Sequence, residues 1–417
     1  MRLSWREELS GYDRQVWLLA LGSVINWMGL TIVSPFISIY LYHYLGVPMS
    51  DVGLAFLLST TINGVGLLIS GSLCDRFGRK AVMITGVLLE ILCIGSLGAA
   101  IWQGFGFTAI MLLWAGEGLA LGLYRNVPQV MVADVVPAGR QSGAYSILRV
   151  GGNLGFAIGP VIGGFIAAFS YPLMFLATAA FSLIYLLMVI FQLRDTKPSA
   201  AEASRETGPR ASIWTDRAFL LFCAVGFVIS LAASQLTTTL SAYASGYAGL
   251  RESSIGLLFS INALMVVVLQ YPAARLLDRF RLTTALALGA ALYGIGYVCI
   301  GFSTAFAPLA VAVVLITLGE LASSPASMTF VAQLAPPGSR GRYISLSNFL
   351  GGAGFAFGPY VGGRLMDAYS GEIKFAWLII AFIVLTGVAG AALLRYLVRD
   401  ARDRPQISAP LPAVKAS

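Results

Sequence analysis

The sequence is poor in charge, histidine and cysteine, and each shortage excludes a class of function. Only 11% of its 417 residues are charged, against about 25% in soluble domains, so water is not the solvent for most of the chain. One histidine, His43, supplies neither a metal-ligand set nor a base for a nucleophile, which leaves an enzyme of any kind, an intramembrane hydrolase included, without machinery. Cys74, Cys93, Cys223 and Cys299 are scattered through apolar segments without C-x-x-C spacing, so no disulfide framework and no metal site is expected. A G-x-x-x-x-G-K-[ST] phosphate loop is absent, which removes ATP hydrolysis as an energy source in this chain, and no cofactor is expected. The first thirteen residues carry Arg2, Arg6, Glu7, Glu8 and Asp13 and read as a solvated leader, not a signal peptide.

What is abundant is apolar: 58% of residues are hydrophobic and the mean hydropathy is +0.81. The 46 glycines suit helices that approach closely in lipid, and the apolar runs are too uniform for alternating barrel strands. Windows of about 19 residues place twelve spans near 16–42, 51–73, 81–102, 107–131, 143–169, 172–193, 217–243, 254–277, 283–303, 306–331, 344–365 and 375–398. The prediction is an all-α membrane protein of twelve transmembrane helices in two six-helix bundles. Residues 1–193 form the first bundle, 194–215 a linker rich in Lys, Arg and Pro, 216–400 the second bundle and 401–417 an unstructured tail. All but five of the 27 Lys and Arg residues fall with the termini, the linker and the loops after spans 2, 4, 8 and 10. Arg251, Arg364 and Lys374 lie on the other side, and Arg125 and Arg149 lie within spans. The positive-inside rule then places both termini in the cytoplasm of a multi-pass protein of the plasma (cell inner) membrane. Anionic lipid head groups account for the net charge of +8, so no nucleic-acid partner is needed.

The halves repeat. A shift of 203 residues superposes Leu73-Cys74-Asp75-Arg76-Phe77 on Leu276-Leu277-Asp278-Arg279-Phe280, and Gly116-Glu117 on Gly319-Glu320. A shift of 199 superposes Gly155, Gly159, Pro160, Gly163 and Gly164 on Gly354, Gly358, Pro359, Gly362 and Gly363. Parallel six-span repeats are a known transporter plan, with substrate bound near the midplane between them.

On these residues the chain resembles the major facilitator superfamily. Gly71-Ser-Leu-Cys-Asp75-Arg76-Phe-Gly78-Arg79-Lys80 is similar to that family's signature between spans 2 and 3, and the Gly155 to Gly164 segment resembles the motif of its drug–proton antiporter branch. The resemblance implies alternating access without naming a substrate. In span 4 the chain departs from it: Trp114, Glu117 and Gly118 stand where the family's Arg and Gln-Gly pair is usual. The second-half loop is degenerate too, with Ala274 and Arg281 for its glycines.

Several residues are candidates for chemistry. Asp75, Arg76, Arg79 and Asp134, with Lys80, form a gating cluster on the resemblance, able to hold one conformation shut. Gly155, Gly159 and Pro160 are also gating candidates: the glycines belong to a row, Gly151, Gly155, Gly159 and Gly163, that recurs every four residues and admits a neighbouring helix, and Pro160 within it can bend the span. Tyr145, Arg149 and Asn153 form a second row, about 200° away, that can face a cavity. With Arg125 at similar depth, Arg149 suits an anionic group, and Arg125 also suits pairing with Glu117. Glu117 and Glu320 are the proton-coupling candidates: they share a repeat position where an isolated carboxylate is costly and protonation removes its charge. Glu90 is a weaker one, span 3 being peripheral in the resembled fold. Asn26, Tyr124 and Gln235 join Arg125, Tyr145 and Arg149 as substrate-binding candidates, with Asn262 and Trp27 behind them. The expected function is secondary active transport by a monomer, as proton-coupled export of a small amphipathic compound or metabolite. Alternatives are proton-coupled uptake or uniport of a small, anionic nutrient, and a transporter-like membrane sensor.

Overall fold

The backbone of an apolar chain in lipid must satisfy its own hydrogen bonds, and the helix is the open-chain solution. The computed structural model describes residues 12–137, 141–196, 213–277, 279–336, 340–398 and Asp403. The first half contains α1 (Arg14–Tyr44), α2 (Met49–Phe77), α3 (Arg79–Trp102), α4 (Phe107–Val135), α5 (Gln141–Ala167) and α6 (Tyr171–Gln192). The second contains α7 (Arg217–Gly246), α8 (Glu252–Leu277), α9 (Leu282–Gly301), α10 (Phe306–Leu334), α11 (Arg340–Ala368) and α12 (Lys374–Leu397). Eleven are long and apolar enough to cross a membrane. The twelfth, α11, has 29 residues but is diluted by glycines and by Arg342, Asn348, Arg364 and Asp367. The twelve predicted spans are therefore twelve helices, several running a turn further.

Caps fix where helices begin: the Asp13 carboxylate accepts from Gln15 N (2.6 Å) and that of Asp216 from Phe219 N (3.0 Å). Two helices are broken midway. The α4 helix is interrupted at Arg125 and Asn126 and restarts with Pro128 in its first turn, where a missing N–H is tolerated. The α7 helix is interrupted at 236–238. Within each half the close neighbours repeat: α1 lies on α5 as α7 lies on α11, and α3 packs on α4 and α6 as α9 packs on α10 and α12.

One face, here the terminal face, gathers the ends that carry the first described residues and the chain between the halves. Gln15 Nε2 donates to Arg194 O (2.9 Å) and Tyr343 Oη to Asp216 (3.1 Å) there. The halves meet at the opposite, distal face, through α2 with α11 and α5 with α8. Asp367 of α11 accepts from Met49 N (2.8 Å) and Ser50 N (2.7 Å), capping α2 of the other half. Glu252 of α8 accepts from Tyr44 (2.8 Å) and Tyr171 (3.1 Å) of the first half. Added methyls at Gly53 and Gly256 would strike the backbones of Pro359 and Pro160, so glycine is what lets the halves touch.

Of the expected tail, 401–417, one residue is described. Its described residue, Asp403, is fully buried; its carboxylate accepts from Thr283 N (2.9 Å) and Oγ1 (2.7 Å), and its carbonyl from Leu282 N (2.8 Å). Asp403 thus caps α9, as Asp195 caps the repeat partner α3 by accepting from Lys80 N (3.0 Å). The leader 1–11, Asp278 and linker residues 197–212 lie outside the described residues.

Candidate functional site

A cavity of about 830 Å³ lies between the halves on the terminal side of the distal contacts. Its walls come mostly from the second half: Phe222, Ile229, Ser230 and Thr237 of α7, Asn262 of α8, Glu320, Ser324, Ser327 and Met328 of α10, and Ile344, Ser347, Asn348 and Phe355 of α11. From the first half come Asn153 and Phe156 of α5. Such a site, apolar with a few placed polar groups, is typical of small-molecule binding. Glu320 is half-buried on the cavity wall and accepts from Asn262 Nδ2 (3.1 Å), which also donates to Thr317 Oγ1 (3.0 Å). Arg149 is exposed one turn before Asn153, and its charge acts on the Glu320 carboxylate from the other half.

The two rows of α5 point apart as the spacing predicts. Methyls added at Gly151, Gly155, Gly159 and Gly163 would meet the carbonyls of Ala20, Val24, Met28 and Ile32, so the glycine row receives α1. Pro160 is seated at the contact with Gly256 of α8. Of the polar row, Asn153 lines the cavity, Arg149 is exposed and Tyr145 is half-buried. Arg125 is exposed at the break in α4 with its guanidinium 5.3 Å from the Trp27 ring centroid.

Three expectations need correction. Tyr124 is 1% exposed and is no cavity wall: it donates to Glu90 (2.5 Å) and accepts from Asn26 Nδ2 (2.6 Å), leaving Asn26 half-buried at the end of that chain. Gln235 is fully buried, donating to Gly358 O (2.7 Å) and accepting from Thr239 Oγ1 (2.5 Å); it joins α7 to α11 and does not line the cavity, because the α7 surface it occupies is the one α11 covers. Glu117 shares the repeat position of Glu320 but not its setting. It is 3% exposed, its Oε1 has no partner among the described residues, and it makes no ion pair with Arg125, which feels its charge only at longer range. Conversely Glu90, ranked low for its peripheral helix, is 1% exposed and held by Tyr124 and Ser182 (2.9 Å).

At the terminal face Arg79 donates to Asp75 (2.8 Å) and Asp134 (3.5 Å), and Thr196 also donates to Asp134 (2.7 Å). Lys80 Nζ donates to the carbonyls of Ile190 (2.7 Å) and Leu193 (2.9 Å). Gly78 has φ 93° and lies against the Asp195 carboxylate, so both backbone and space require glycine there. Arg76 stands apart from this cluster, exposed, its guanidinium 5.2 Å from the Phe77 ring centroid. These bonds join α2, α3, α4 and the end of α6 within one half.

Sequence reasoning overlooked Ser324, Ser327, Ser347 and Thr237, since small hydroxyls hardly dent an apolar span. Asn348 was discoverable as an amide within the α11 span, about a third of the way along it.

The multidrug resistance protein MdtH of Aeromonas salmonicida is 28% identical over 94% of this chain and 96% of its own. The Na(+), Li(+), K(+)/H(+) antiporter of Planococcus maritimus is 24% identical over 91% and 96%. Among solved structures, a POT family transporter in complex with 5-aminolevulinic acid superposes with a TM-score of 0.78 at 15% identity, covering 93% of this chain and 98% of that one. The family model of the Major Facilitator Superfamily matches residues 19–251 and 227–415, essentially the whole sequence. Matched along both halves and sharing that fold around a cavity between them, this chain is a multi-pass membrane transporter that belongs to the Major Facilitator Superfamily.

Proposed function

We propose that the protein is a proton-coupled exporter of small amphipathic compounds across the plasma membrane, with both termini in the cytoplasm. The observation that carries this reading is the single carboxylate of the cavity wall, Glu320, set among apolar side chains and hydroxyls and opposed by Arg149 from the other half. Ionised, Glu320 attracts a substrate that brings a positive or hydrogen-donating group; protonated, it releases that group and lowers the cost of closing the cavity. The Lys and Arg bias of the terminal face supports cytoplasmic loading. The multidrug relative and the cation–proton antiporter agree with export and antiport. Asp75, Arg79 and Asp134, already bonded to one another within the first half, form a cluster on the terminal face against which the second half closes when the halves rock.

A second reading, uptake of a small anion by proton symport, is favoured by one observation: Arg125 and Arg149 are both exposed within the bundle. One experiment separates the two. Purified protein in vesicles with an imposed pH gradient is offered lipophilic cationic dyes and small organic anions, and solute and proton fluxes are followed together. Export predicts dye moving against protons; symport predicts anion moving with them. Unchanged fluxes of both relative to empty vesicles would sink both readings.

A further inference from the structure

Glu90 and Glu117 lie buried in the first half, 1% and 3% exposed, close enough for the charge of Glu90 to act on Glu117. Cys93 and the α4 backbone at Gly116 come together beside them, so α3 and α4 leave no room for a bulky counter-ion. The titratable groups facing the pair are Cys93 of α3, Tyr124 and Arg125 of α4, and Tyr185 of α6; Asn26 of α1 and Ser182 of α6 are neutral. Neither carboxylate forms an ion pair among the described residues. Two negative charges inside a membrane-spanning bundle, with Arg125 acting on Glu117 only at longer range and no ion pair formed, are costly enough that the pair should hold at least one proton or a small cation.

The hydrogen bonds say which, and where. Asn26 Nδ2 donates to Tyr124 Oη, so the only hydroxyl hydrogen of Tyr124 is committed to Glu90 Oε2, while Ser182 donates to Oε1. Both oxygens of Glu90 therefore meet hydrogens, as an anion would, and a metal ion would find hydrogens where it needs lone pairs. Glu117 Oε1, with no partner, marks the neutral, protonated member.

We propose that the Glu90–Glu117 pair is a second proton-binding site, separate from the cavity carboxylate, that exchanges its proton with solvent through Tyr124 at the edge marked by Asn26 and Arg125. On loading, a hydronium ion gives a proton to Tyr124 Oη, the original Oη–H bond breaks, and that proton forms an O–H bond to Glu90 Oε2. Release reverses these steps, and Glu117 keeps its proton throughout. The proposal rests on the proton-coupled reading for its purpose, but its test needs no transport.

The test is infrared difference spectroscopy of the purified full-length protein during pH titration, following the C=O stretch of buried protonated carboxyls. Wild type should show a titrating band that Glu90→Gln removes and Glu320→Gln leaves. Tyr124→Phe, which keeps the ring, should keep the band but slow its appearance after a pH jump at least tenfold. If Glu90→Gln does not fold, Ser182→Ala, which deletes one donor to Glu90, should move the midpoint of the band by about tenfold in proton affinity. Persistence of the band in a folded Glu90→Gln protein, a wild-type rate in Tyr124→Phe, or an unmoved midpoint in Ser182→Ala would overturn the proposal. So would a midpoint that shifts tenfold between sodium and choline buffers, since that identifies an alkali cation as the ligand. Loss of pH-driven transport alone, with these spectra intact, would count against the export reading and not against this site.

Discussion

Glu117 and Glu320 occupy the same place in the two halves and live in different chemistry. Glu320 stands on the cavity wall with Asn262 donating to it, whereas Glu117 is sealed between helices with an unpartnered oxygen. The neighbours explain the split. At the 203-residue shift Glu90 corresponds to Tyr293, Ser59 to Asn262 and Arg125 to Met328, so the first half places two charged groups where the second has neutral ones, and only the second has an amide. The glycine rows behave in the opposite way. Gly155 and Gly159 meet Val24 and Met28 of α1, and Gly354 and Gly358 meet Phe227 and Leu231 of α7, so the same stripe seats the equivalent helix in each half. Backbone packing has stayed symmetric where side-chain chemistry has diverged. The repeat therefore forecasts architecture well and function poorly.

The largest effect should come from separating the glutamates. In vesicles, Glu320→Gln should reduce pH-driven accumulation to the downhill level while substrate exchange continues, and Glu117→Gln, mimicking the protonated form, should retain accumulation. Equal losses in the two variants would restore the symmetry denied here. Next, the glycine rows should be equally intolerant: Gly159→Leu and Gly358→Leu should each cost about 1–3 kcal/mol or more by overpacking against α1 and α7, read as lost thermal stability in detergent. A large loss in only one of them would break the architectural equivalence.

A smaller effect concerns the distal contact, which is itself asymmetric, with Asp367 reaching across to cap α2. Asp367→Asn should weaken two charge-assisted bonds by roughly 1–2 kcal/mol in total. The readout is a wider distribution of spin-label distances between the distal ends of α2 and α11; an unaltered distribution would show that the cap does not hold the halves together. The smallest change should accompany the caps of α3 and α9. Asp195→Asn and Asp403→Asn each lose about 1 kcal/mol of helix-end stabilisation, and differential scanning fluorimetry should show similar, modest decreases. A negligible effect for Asp403→Asn alone would make that cap incidental.

The sequence carried the parts of this molecule that depend on local pattern. Apolar runs located the twelve helices, and the four-residue spacing of Gly151 to Gly163 foretold a helix-binding stripe opposite Arg149 and Asn153. It did not carry contacts whose partners lie far along the chain. Tyr124 and Gln235 look like cavity residues because each is a polar group in an apolar run; only the arrival of Glu90 and Asn26 at one, and of α11 at the other, turns them inward. Asp403 follows α12 in a polar tail, and nothing local announces that α9 presents Thr283 to it. The break at Arg125 was missed because Pro128 alone permits a restart without requiring one.

The grip of Lys80 and Asp195 on the end of α6 has a mechanical corollary. It anchors the departing chain to the first half as far as Thr196, whose hydroxyl is bonded to Asp134. The chain is anchored again at Ile213, which is buried in the core of the second half. Between these anchors, residues 197–212 can reach at most about 3.5 Å each when fully extended, which is some tens of ångströms of leash. The bonds that join the halves at the distal face do not run through this stretch. The halves should accordingly recognise one another as separate polypeptides, with the distal contacts and the cavity reassembled from two co-expressed chains divided within that stretch.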